Sequence, residues 1–198
     1  MFKKVLEYFS KSWYDLVIII GYVFEVKIMK EKYKAIDFAN WFLWYNEVQK
    51  LEFCDDNYDV YEGLTHLKIQ KLLYFADGVN LAINDKPLFE EKIYAWQHGP
   101  VVKDVYTILS KYGRDEIPFD SANFEKIKRM NENEELHNLL VMVYDSYAGY
   151  TAWQLREKSH VVGGPWQITV DTVGMQKEIK TDLIRNYFQK NIVIKDNE

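Results

Sequence analysis

Residues 65–85, THLKIQKLLYFADGVNLAIND, constrain the fold more than any other stretch of the chain. Ile69, Leu72, Leu73, Ala76, Val79 and Ile83 recur at i, i+3 and i+4, the spacing that gathers side chains on one side of an α-helix. Thr65 stands where an N-cap hydroxyl belongs, and Asn84-Asp85-Lys86-Pro87 ends the run in a turn. The stripe is wide, so the helix at about 65–83 is expected at the centre of a core. Lys68, Lys71, Asp77 and Asn80 are expected on its other faces.

The neighbouring segments supply partners for that helix. Residues 35–50 carry apolar side chains at 38, 39, 42, 43 and 45, a helical spacing, and the Asp-rich stretch 51–63 reads as a loop. After Pro87, LFEEKIYAW reads as a short strand near 89–96. VVKDVYTILSKYG then reads as a helix with Val101, Val102, Val105, Ile108, Leu109 and Tyr112 on its stripe and Gly113 at its end. Pro100 fits the first helical position of that helix, with Gly99 at the N-cap or in a positive-φ conformation. Further helices are expected at about 122–130, 134–148, from Thr151 through AWQLREKS, and over 178–189; NIVIK at 191–195 reads as a short terminal strand. The fold class is therefore mainly α, or α+β with a minor β component, in one compact helical domain.

The first 30 residues stand apart. LVIIIGYVFEV at 16–26 is too short for a bilayer span, which needs about 20 apolar residues. No small-residue cleavage site follows it. Residues 1–30 are read as an N-terminal extension, with Met29 as a candidate native start and 31–198 as the domain.

Composition narrows the function. Hydrophobic residues make up 48% of the 198 and aromatics 16%, enough for a dense core or an aromatic binding surface. The net charge of −5 argues against a nucleic-acid binder, which needs a basic face to neutralise phosphates. The lone Cys54 excludes an internal disulfide and a cysteine zinc site, which fits a cytoplasmic protein. Asp55 and Asp56 beside it disfavour a thiolate nucleophile.

Four histidines, His66, His98, His137 and His160, lack any metal-ligand spacing. His98 in QHGPVV and His160 in SHVVGGPW each precede a Gly/Pro break. A structural role in turns accounts for both. The rival is a metal-dependent or His-based enzyme in which the two turns converge. A helical nucleic-acid-binding regulator is a third option.

Two ordered motifs carry a resemblance. LKIQKLLYF, then PLF, then AWQHGPV match a signature over residues 68–75, 87–89 and 95–101, and AWQLREKSHVVGGPW at 152–166 matches a second. The chain resembles the Panacea domain, the SocA-like antitoxin family that also includes phage-associated proteins, over roughly residues 35–190. The resemblance implies a mostly helical fold and an antitoxin of a toxin–antitoxin system. Such a protein neutralises a cognate toxin, encoded nearby, by direct protein–protein contact, and in one line of the family hands it to a protease. It implies no catalytic residue, no cofactor and no metal. Lys68, Gln70, Lys71, Trp96, His98, Gly99, Pro100, Ser159, His160, Pro165 and Trp166 are carried over as signature positions, structural or partner-facing. Trp41, Trp44, Tyr58 and Tyr61 are the first partner anchors to consider, on condition that they are exposed.

Overall fold

A computed structural model describes residues 32–52 and 63–191. The expected extension at 1–30, with Met29, and Cys54, Tyr58 and Tyr61 lie outside the described residues, as do residues 192–195 of the strand expected at 191–195, whose first residue, Asn191, ends a helix. The described part is mainly α with a small β component. In chain order it has α1 (Ala35–Glu52), α2 (His66–Asn84), β1 (Ile93–Trp96), β2 (Gly99–Val102), α3 (Lys103–Leu109), α4 (Phe124–Asn131), α5 (Glu134–Tyr147), α6 (Ala152–Ser159), α7 (Pro165–Val173) and α8 (Thr181–Asn191). No helix among the described residues is long and apolar enough to cross a membrane.

Helix α2 is the axis of the core. Thr65 caps it, accepting from the Lys68 N–H, and Asp85 ends it in a left-handed conformation with its N–H on the Leu81 carbonyl. Helices α1, α5, α6 and α8 and strand β2 all pack on it. Every residue from Lys68 to Leu81 is buried. Lys68, Lys71, Asp77 and Asn80 are thus inside the protein rather than on solvent-facing sides of the helix. A helix surrounded on every side has no wet face, so its polar residues must find internal partners. Gly78 lets α8 come close: a Cβ there would run into the Phe188 ring.

Strands β1 and β2 form an antiparallel hairpin in which Ile93 faces Val102 and Trp96 faces Gly99. Gln97 and His98 make the turn, and Gly99 takes φ 103°, a left-handed backbone that glycine adopts without strain. Gly99-Pro100 therefore belongs to a strand, and the helix expected from Val101 begins at Lys103. The β-branched Val101 and Val102 pair with Tyr94 and Ile93, and this pairing overrides the local preference for a proline-led helix. The 176–179 segment borders the other edge of β1: Ala95 N–H donates to the Lys177 carbonyl at 2.8 Å and Ile179 N–H to the Ile93 carbonyl at 2.8 Å.

Candidate functional site

The polar residues of α2 hold the segment that follows it. The Gln70 amide makes both of its bonds to one residue: Val102 N–H donates to its Oε1 at 2.7 Å, and its Nε2 donates to the Val102 carbonyl at 3.3 Å. Lys71 Nζ donates to the Pro100 carbonyl at 3.0 Å. Asp77 Oδ1 accepts from Leu88 N–H at 2.8 Å, and Asn80 Nδ2 donates to the Lys86 carbonyl at 2.7 Å. Four polar side chains of one helix thereby fix the loop and hairpin over 86–102.

The second signature closes over the same hairpin. Thr151 and Gln154 form a capping box at the start of α6. Leu155 and Ser159, one turn apart, are its buried face. Pro165 opens α7 at its first turn, as its sequence position suggests. Trp166 Nε1 then donates to the Trp96 carbonyl at 2.8 Å, tying α7 to the end of β1. The His160 ring packs against Trp166 with 3.7 Å between centroids. A Cβ on Gly99 would lie 2.5 Å from Lys71 Nζ, 2.8 Å from Ser159 Oγ and 3.0 Å from His160 Cε1. The bare glycine backbone is the point where the two signatures meet.

This cluster is basic. Burial, then the nearby Arg156, lowers the Lys71 pKa to about 7. His160 is also pushed down, first by burial, with Arg156 and Lys71 adding to it and the carbonyls of Arg156 and Gln97 opposing. His66 is lowered by burial and then by Lys71. Ser159 and His160 resemble a hydroxyl–imidazole pair, with 3.2 Å between Oγ and Nδ1. Both, however, are bound to the Arg156 carbonyl, Ser159 Oγ at 2.7 Å and His160 Nδ1 at 2.7 Å. A ring nitrogen that donates to a carbonyl has no lone pair for the serine proton, so this geometry does not activate a nucleophile. His98 sits on the exposed turn, and no hydrogen bond joins it to His160. Among the described residues no group of three or more His, Cys, Asp or Glu side chains is placed to hold a metal ion.

The anchors suggested by sequence fare differently. Trp41 is completely buried, stacked on Tyr45 at 4.9 Å, with its indole N–H on Asn131 Oδ1 at 2.7 Å. The exposure that an anchor needs is absent, and Trp41 is a core residue. Trp44 is half-buried against Trp41 and Tyr45.

A family model described as Antitoxin SocA-like, Panacea domain, matches residues 69–167, half of the chain. The chain belongs to the SocA-like Panacea family. It is also similar to Antitoxin SocA of Caulobacter vibrioides (strain NA1000 / CB15N), at 29% identity over 117 residues, covering 56% of this chain and 62% of that protein. The match thus spans less than two thirds of the relative's length. No solved structure matches the chain.

Within the Panacea segment, the exposed aromatic residues are ones that sequence reasoning passed over. Trp153 is 61% exposed, with the Arg156 guanidinium 4.6 Å from its ring centroid. Tyr150 lies one turn before it, with Lys158 Nζ 4.2 Å from its ring, and Val162 beyond the helix is 91% exposed. The signal was available. Once Leu155 and Ser159 are placed inward, helical periodicity puts Trp153 and Glu157 outward.

Proposed function

We propose that this protein is the antitoxin of a toxin–antitoxin pair, acting without catalysis in the cytoplasm by binding a cognate toxin directly. Membership of the SocA-like family supports the role. The choice of surface is supported by Trp153: a large aromatic ring left in solvent, with the Arg156 guanidinium over it, on a helix whose other face is locked into the core. Aromatic and arginine side chains of this kind are the usual anchors of protein interfaces. The signature residues on the inner side of α6 support folding, and the outer side is left for the partner.

The test is co-expression with the products of the neighbouring genes, capture through a tag on this chain, and growth rescue. A partner that arrests growth alone and is neutralised by this chain is the expected result. Trp153→Ala should weaken that complex by about 2 kcal/mol or more, some thirtyfold in Kd, with an unchanged thermal melt. An unchanged Kd would reject the α6 surface, and a chain that captures no growth-arresting partner would reject the antitoxin role. The same capture reports whether a protease joins the complex.

A further inference from the structure

On the side of α2 that carries Asp77, a cavity of about 300 Å³ opens between the 87–93 segment and α8. Its apolar walls are Pro87, Phe89, Ile93, Ile179 and Ile184. Asp77 lines it at 4% exposure. One carboxylate oxygen, Oδ1, is taken by the Leu88 N–H. Among the described residues Asp77 forms no ion pair, and its other oxygen, Oδ2, is not a solvent-sealed atom lacking a partner. The charges around it do not neutralise it. Lys92 also lines the cavity, but its ion pair, at 3.5 Å, is with Glu178 rather than with Asp77. Burial pushes the Asp77 pKa up to about 6, so at neutral pH it is still mostly ionised. A buried carboxylate without a cation is a costly arrangement.

We propose that this cavity binds a cationic nitrogen, ammonium or guanidinium, carried on a short apolar stem. The nitrogen meets Asp77 Oδ2, and the stem packs on Phe89, Ile179 and Ile184. A volume of this size is at the lower end for small-ligand sites and suits one unbranched stem. A free amine and a Lys or Arg side chain of a protein partner share this chemistry. The site stands apart from the α6 surface and does not depend on the antitoxin role.

The probe is n-butylammonium, with n-butanol as its neutral counterpart, titrated into the full chain at pH 7. The readout is the NMR shift of the Leu88 amide, which donates to Asp77. The expected result is a saturable shift with n-butylammonium and binding about tenfold or more weaker for n-butanol. Asp77→Asn keeps an acceptor for Leu88 while removing the charge, and should abolish the preference for the cation. Equal binding of the two probes, no saturable shift with either, or an Asp77→Asn chain that binds n-butylammonium unchanged would each overturn the proposal. The comparison between probes needs no variant, so it holds even if Asp77→Asn folds poorly. With a captured protein partner, competition by n-butylammonium identifies a basic side chain of that partner as the occupant. Probe binding without competition identifies a free amine.

Discussion

Lys71 has no exposed surface, and its nitrogen rests on a neutral carbonyl rather than on a carboxylate. Its folded pKa of about 7 lies below the ordinary 10.5. Between those values the unfolded chain binds more protons than the folded one, so stability rises with pH in this window and is lost as pH falls toward 7. The rise is on the order of 4 kcal/mol, at about 1.4 kcal/mol per pKa unit. Urea melts from pH 7 to 10 should show it, and Lys71→Met should flatten it. Gly99, beside that nitrogen, combines φ 103° with three polar side chains around the missing Cβ. Gly99→Ala should cost about 2–4 kcal/mol, through backbone strain and overpacking together, read as a lower urea midpoint.

At the scale of elements, the grip of α2 on the hairpin is the feature that defines the fold. Gln70→Leu removes two hydrogen bonds to Val102 and should cost about 2–3 kcal/mol, with faster hydrogen exchange at the Val102 amide as the specific sign. The existence of α1, α2, α5 and α6 was legible in sequence, because their apolar spacing and caps are local signals. The inward placement of Lys71, Asp77 and Asn80 was not. Periodicity records that a residue is polar, whereas burial depends on whether a distant carbonyl or amide awaits it. Pro100 shows the same limit: it suits a helix start by local rules, and only the pairing with Ala95 makes it a strand residue. Trp41 and Trp153 look alike in sequence. One is enclosed by α1 and α4, and the other faces solvent because Leu155 and Ser159 claim the inner side of α6.

Across the whole molecule, two buried ionisable groups on α2 bend the pH profile in opposite ways. Asp77, raised from 3.8 to about 6, disfavours its charged form in the fold. The folded state holds more protons between pH 4 and 6, so its contribution falls as pH rises through that window. Asp77→Asn should remove this fall and leave the rise above pH 7, as measured by thermal melts across pH 4–9. Helix α8 completes the same core from far along the chain, through Phe188 against Gly78 and Tyr74. This geometry also sets a timetable for biosynthesis. While the ribosome still holds residues up to 188, the wall of α2 around Gly78 has no cover and the core stays open. The core closes only once α8 has left the ribosome, so α2 stays uncovered until the residues around Phe188 have been made.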